Sequence, residues 1–183
     1  MEHIDTQSRC FFTQQVFLIG TCNEDGTAHF APISWISYTA GSPACLVISM
    51  AGNKVTKENL RRAGLLSATV ATPDMLSFLE QCNAATRTKD VSGEPPIDVK
   101  KGAVLNVPLI RNAPFSYECR ILQTVLIGQT HTYFAEIKSI NCTEAVKGMD
   151  FLDLRAINPL IYSPMNYFTV GKHLGRIGDF SKQ

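Results

Sequence analysis

Residues 28–38 read AHFAPISWISY. The run is rich in β-formers, with a turn signal, EDGT, before it and a loop signal, TAGSP, after it. Yet it carries Pro32 in its middle and Ser34 and Ser37 further on. Proline removes a ladder donor, so a strand that contains one belongs at an edge or a bulge. The stretch therefore raises two questions: where it lies in a sheet, and what its small, partly aromatic side chains are held against.

Its flanks supply a context. Residues 15–22, QVFLIGTC, form an apolar β-like run, and Asp25-Gly26 is a strong hairpin signal. The quoted stretch is then the second strand. Ser42-Pro43 breaks the chain, and residues 44–50, ACLVISM, make a third. Three strands within residues 15–50 point to an antiparallel meander, not to βαβ units.

In residues 51–64, AGNKVTKENLRRAG, the period changes. Val55, Asn59, Leu60 and Ala63 recur at helical spacing; Thr56 can cap the helix and Gly64 can end it. Residues 65–72 return to strand character. Thr72-Pro73-Asp74 caps a second helix, whose apolar face is Met75, Leu76, Phe78, Leu79 and Cys82. Residues 86–101 are polar, with Gly93, Pro95 and Pro96, and read as an excursion loop. VLNVPLI, FSYECRILQTVLIG and HTYFAEIKSIN are further strand candidates. The tail is broken by Pro159, Pro164, Gly171, Gly175 and Gly178. Six or so antiparallel strands and two short helices predict a mainly β fold, packed face to face or closed into a small barrel.

The totals narrow the function. The 183 residues fit one domain, with the barrel at about 15–142 and a C-terminal extension at 143–183. Hydrophobic residues make up 45% and charged residues 18%, enough to bury a sizeable core. A net charge of +1 gives no footprint for nucleic acid. MEHIDTQSRC is not a signal peptide, and no apolar stretch reaches the roughly 18 residues of a membrane span. A cytoplasmic protein without membrane contact is expected.

Cys10, Cys22, Cys45, Cys82, Cys119 and Cys142 have no close pairs and read as scattered reduced thiols. His3, His29, His131 and His173 share no metal spacing, and no metal site is expected. GKHLGRIG lacks the dinucleotide spacing, GNK lacks the frame of a P-loop, and no G-x-S-x-G occurs.

One constellation remains. NKVTKEN directly follows the third strand. Lys54 brings a cation and Thr56 a hydroxyl to a helix N-terminus, whose exposed amides attract anions. This is either a monophosphate cradle or an ordinary capped helix with a solvated lysine. In APISW, the proline and small side chains let a flat ligand approach the backbone; Trp35 reads as core ahead of a pocket wall.

These residues carry a resemblance. Ala31, Pro32 and Ser34, then Pro43 with Leu46 and Val47, then Lys54, Thr56 and Asn59 resemble three consecutive motifs of the flavin reductase-like family, the FMN-binding split β-barrel group that includes flavoredoxin. VPLIRNAPFSYECRIL, HTYFAEIKSI and INPLIYSPMNYFTVGKHLGRIG are similar to its later motifs, in the same order. The likeness runs from Val16 to about Gly178. Departures are His29 and Phe30 in place of small or amide residues, Ala135 for glycine, Ala113 for serine, and Ser42 before Pro43.

The resemblance implies an antiparallel Greek-key split barrel, a homodimer, and FMN held near the dimer interface. The phosphate would sit at Lys54, Thr56 and Asn59, beside Asn53. The flavin ring would lie against Ala31, Pro32, Ile33, Ser34 and Trp35 and the strand end at Ser49 and Met50. A loop with Asn83, Ala85 and Thr86 would close over it. The resemblance implies an NAD(P)H-dependent flavin reductase in which NADH or NADPH passes hydride to flavin N5, with no catalytic side chain. His131 and Tyr133 fall near that pocket, with a sheet-face role preferred. The alternatives are a flavoredoxin-like electron carrier reduced by a protein donor, and a barrel that binds no flavin.

Overall fold

The structure is a computed structural model that describes residues 13–88, 97–149, 152–177 and 179, the side chains of 85–88 excepted. His3, Cys10, Gly178 and the Gly93, Pro95 and Pro96 part of the expected loop lie outside the described residues. In chain order the strands and helices are β1 (Gln14–Gln15), β2 (Phe17–Cys22), β3 (Ala28–Ile33), β4 (Ile36–Tyr38), β5 (Cys45–Met50), α1 (Val55–Ala63) and β6 (Leu65–Val70). A 3₁₀ turn at Pro73–Met75 leads into α2 (Leu76–Thr88). Then come β7 (Val99–Lys101), β8 (Pro108–Ile110), β9 (Phe115–Ile127), β10 (Thr130–Cys142), α3 (Glu144–Lys147), α4 (Leu154–Ile157), β11 (Ile161–Ser163) and β12 (Asn166–Phe168).

The central strand β2 explains the unbroken apolar run QVFLIGTC. Phe17 and Ile19 point into one core, with Leu46, Ile48, Leu66 and Tyr133. Leu18 points the other way, into a second core with Phe30, Met75, Phe78 and Leu79. A strand covered on both faces loses the polar alternation of a half-exposed one. Each of these side chains contributes about 1.5–3 kcal/mol by leaving water. Gly20 continues the strand where β8 crosses close by: a Cβ there would stand 2.8 Å from the Pro108 carbonyl oxygen.

The main sheet is antiparallel, in the order β3-β2-β6-β9-β10-β5-β4. Its two end strands, β3 and β4, are consecutive in the chain, with only Ser34 and Trp35 between them. Two residues cannot cross the width of a flat seven-stranded sheet, because strands lie almost 5 Å apart. The sheet therefore curls until its ends approach each other, giving a split barrel. Pro32 lies on the edge strand β3, where a missing N–H is tolerated.

The meander expected for residues 15–50 is thus only half present. The hairpin at Asp25-Gly26 forms, with Gly26 at φ 85°. The stretch AHFAPISWISY does not stay one strand, however. It breaks at Ser34-Trp35, and the third strand, β5, pairs with β4 and β10 and not with β3. Three other expectations give way as well. Residues 86–88 finish α2 and residues 99–101 form β7, so the expected excursion loop is shorter at both ends. Of VLNVPLI, only Pro108–Ile110 is strand. The C-terminal part supplies α3 and α4, and also β11 and β12, strands that the glycine and proline punctuation concealed and that join β1 in a small sheet, β1-β11-β12.

α2 lies over the outer face of β3, fixed by an edge-to-face contact of Phe30 with Phe78 at 5.8 Å. α1 ends as its sequence predicts: Gly64 takes the left-handed conformation, φ 65°, and its N–H donates to the Leu60 carbonyl.

Candidate ligand site

The break at Ser34-Trp35 brings distant segments together. Ser49 N–H donates to the Trp35 carbonyl, 2.9 Å away, so the β4–β5 ladder runs on to the break and sets the end of β5 beside the two residues that follow β3. Five residues beyond Met50 the chain enters α1, which docks back on β2 and β3. Thr56 Oγ1 is 3.1 Å from His29 Nε2. Asn59 Nδ2 donates to Thr21 Oγ1 and to Asn23 Oδ1, at 3.0 and 2.9 Å. The segments holding Ala31, Pro32, Ile33, Ser34, Trp35, Ser49, Met50, Lys54, Thr56 and Asn59 therefore converge at one end of the barrel.

Thr56 does not cap this helix. Lys54 is the N-cap residue and makes no side-chain cap bond, and among the described residues no side chain accepts from the first turn. The N–H groups of Lys57 and Glu58 reach the Lys54 carbonyl, but helical geometry gives those of Val55 and Thr56 no intrahelical acceptor. Thr56 lies one residue inside the helix and is 1% exposed, held by His29. A lysine where helices usually place an acceptor leaves bare amide donors beside a cation, which is the chemistry of an anion site.

The other predicted residues are placed as follows. Ala31, Ile33 and Met50 are buried; Pro32, Ser34 and Ser49 are half-buried; Asn53 is exposed. Ser49 Oγ lies 3.2 Å from Thr132 Oγ1. Trp35 is 46% exposed, so it is not the core residue expected; it stands at the seam where the strand breaks. Asn83, Ala85 and Thr86 lie on α2, not on a loop, and Asn83 Nδ2 donates to Glu80 Oε1.

His131 lies directly across the ladder from Met50 and stacks on Tyr133, with ring centroids 6.0 Å apart and planes 18° apart. Its Nδ1 is buried with no hydrogen-bond partner among the described residues. A buried polar atom without a partner costs about 1–3 kcal/mol, a loss that a ligand's hydrogen bond can recover. Sequence reasoning underrated His29. It shares the inward face of β3 with Ala31 and Ile33, as the period of two alone would indicate. Burial pushes its titration below the usual imidazole value.

A separate cleft of about 360 Å³ lies elsewhere, lined by Lys100, Asn112, Ser116, Asn141 and Thr143 among others, and contains none of the predicted residues. Cys22, Cys45, Cys82, Cys119 and Cys142 are free thiols, and burial pushes the Cys119 thiol up to about 12. Among the described residues no three His, Cys, Asp or Glu side chains gather as a metal-binding group. No helix among them is long and apolar enough to cross a membrane.

The geometry thus presents backbone groups and a bare helix terminus at the seam of a split barrel. Residues 8–171 match the family described as flavin reductase like domain. The chain belongs to the flavin reductase-like family.

The solved structures agree on the fold of this flavin reductase-like chain. Flavoredoxin from Methanosarcina acetivorans superposes with a TM-score of 0.88 at 22% identity, covering 100% of this chain and 98% of that one. An FMN-binding protein from Thermus thermophilus with bound p-hydroxybenzaldehyde gives 0.78 at 14% identity, over 96% and 97% of the two chains. The styrene monooxygenase flavin reductase from Pseudomonas putida S12 gives 0.71 at 16% identity, over 89% and 94%. No curated protein sequence matches the chain.

Proposed function

We propose that this chain binds FMN at the barrel seam and works as an NAD(P)H-dependent flavin oxidoreductase. The observation that carries the reading is the first turn of α1: two unpaired amides, the cation of Lys54 and the hydroxyl of Thr56, set beside the ends of β3 and β5. That donor set suits a phosphate monoester. Asn59 spends both amide hydrogens inside the protein and so braces α1. Ala31, Pro32, Ile33, Ser34, Trp35, Ser49 and Met50 would face the ring, with Asn53, Asn83, Ala85 and Thr86 at its margins. His131 Nδ1 offers one further polar contact.

FMN, when bound, supplies the redox chemistry itself, and NADH or NADPH is the reductant on this reading. The chain's own part is to hold the cofactor, orient it and keep water from it. No protein acid or base is needed, and none is assigned.

A second reading has one observation in its favour. The structural likeness extends over the whole chain to a flavoredoxin, so an electron carrier reduced by a protein donor fits the same site. We also propose a homodimer. The β9–β10 ribbon exposes Leu122, Leu126 and Ile127 toward its hairpin end, apolar side chains that a second copy would cover.

The visible spectrum of the purified protein, followed by anaerobic addition of NADH and NADPH, tests these readings. Flavin bands that bleach at once support the oxidoreductase. Bands that persist until a ferredoxin-like donor is added support the carrier. No bands after soaking with FMN would overturn both.

A further inference from the structure

We infer that His29 is a further ligand-binding residue of this site: its Nε2 leaves Thr56 for the phosphate of FMN, so that the chain selects FMN over unphosphorylated riboflavin. The inference rests on the FMN reading above. His29 stands on the inward face of β3, and its Nε2 is 3.1 Å from Thr56 Oγ1. Thr56 is the second residue of α1 and carries one of the two bare amides. The imidazole is therefore within one hydrogen bond of the phosphate position.

Without an anion the ring has an alcohol as its partner and no counter-charge. The charged groups on the surrounding elements are engaged or exposed. On α1, Lys57 Nζ donates to the Gly52 and Gln129 carbonyls, and Arg62 binds the Cys22 carbonyl and Asn59. Lys54 is a cation of the cradle itself, and Glu58 points to solvent. On the β2–β3 hairpin, Asp25 is taken up by the N–H and hydroxyl of Thr27, and Cys22 is a neutral thiol. On α2, Glu80 accepts from Tyr167 and Asn83. Burial alone accounts for the depressed titration of His29. A phosphate would bring the missing charge, and a protonated imidazole, with both nitrogens donating, would meet it.

A histidine that only satisfies Thr56 is replaceable by asparagine and does not change charge when ligand binds. One that reads phosphate does. The protein and a His29→Asn variant would be titrated with FMN and with riboflavin at pH 6 and pH 8. The His29 ring would be followed by NMR, its signal assigned by its loss in the variant. Expected are an FMN affinity about tenfold weaker in His29→Asn, more so at pH 6, and riboflavin affinity unchanged. The His29 titration should move upward with FMN and stay in place with riboflavin. FMN's own phosphate titrates near pH 6, so the comparison between protein and variant isolates the imidazole. Equal weakening of both ligands, or a His29 titration that responds to both alike, would overturn the inference. A protein that takes up neither flavin would sink the FMN reading, and this inference with it.

Discussion

Glu118 on β9 and the first turn of α1 both place polar groups inside the protein, and they are completed in opposite ways. Glu118 is wholly buried, and its carboxylate accepts from the N–H groups of Ala103, Val104 and Leu105 and from Asn141 Nδ2, at 2.9, 3.0, 2.6 and 2.9 Å. Burial works against its charge, yet those four donors together hold the carboxyl below the ordinary carboxylate range. It ties the segment between β7 and β8 to the main sheet. The first turn of α1 has donors without acceptors, and His131 Nδ1 nearby lacks a partner. Buried polar groups that are fully paired specify architecture. The open donors of α1 and the open His131 Nδ1 are the groups on which the proposed FMN site rests.

Glu118→Ala should give the largest effect on stability. It leaves three backbone N–H groups and an amide without their acceptor, at an expected cost of about 3 kcal/mol. Urea unfolding would measure this, and flavin titration of the folded variant should find the affinity unchanged. A loss of FMN affinity at undiminished stability would break the contrast, because Glu118 would then serve the site and not the frame. The stability that Glu118 supplies is full above its unfolded value near 4.5 and is lost as pH falls through its lower folded value.

Lys54→Ala combined with Thr56→Ala tests the other half. Loss of two charge-assisted contacts should weaken FMN about a hundredfold while riboflavin changes little. Equal loss of both ligands would refute the phosphate cradle and leave α1 as an uncapped helix with a solvated lysine at its start.

The two regions were also unequally legible in the sequence. The helix start that carries the proposed anion site was partly readable because its elements are local: a β-run, then a lysine and a threonine at a helix start. Even so, Thr56 drew the cap assignment from its type, while Lys54 holds the N-cap position because the chain turns into the helix one residue before Val55. Pro32 announced an edge strand, and β3 is one. Nothing local showed that residues 28–38 split between opposite ends of the sheet, since the pairing of β4 with β5 and of β3 with β2 is a property of the curl. Glu118 was invisible as a clasp. Its three backbone donors lie 13 to 15 residues upstream, and an acid in a strand run looks like a solvated face.

The exposed ribbon sharpens the contrast by asking whether the site belongs to one chain or two. Leu126→Glu places a charge on the apolar surface of β9. In sedimentation velocity the unaltered protein should run as a dimer, and the variant should shift toward monomer at micromolar concentration, a loss of about 1–3 kcal/mol in association. If the variant stays dimeric, the contact lies on another face. If the unaltered protein is a monomer that binds FMN tightly, the site is complete in one chain.

The smallest effect concerns His29 in the ligand-free protein. Its folded titration lies below the ordinary value of 6.5, so the unfolded chain binds more protons between the two values. Stability is therefore full above pH 6.5 and declines as pH falls through that value toward the folded one, where the decline levels off. Thermal unfolding at pH 8 and at pH 5.5 should show a drop in the protein that is smaller in His29→Asn. Glu118 does not confuse the measurement, because its carboxyl stays ionised over that window, and subtracting the variant removes the other histidines. The expected difference is a degree or two in Tm, small beside the loss from Glu118→Ala. The order of those two effects follows from the geometry: Glu118 answers to four donors fixed in the chain, His29 to one hydroxyl. A drop as large in the variant as in the protein would mean that another group carries the acid sensitivity, and that the imidazole on β3 is hydrated freely enough to titrate as it does in the unfolded chain.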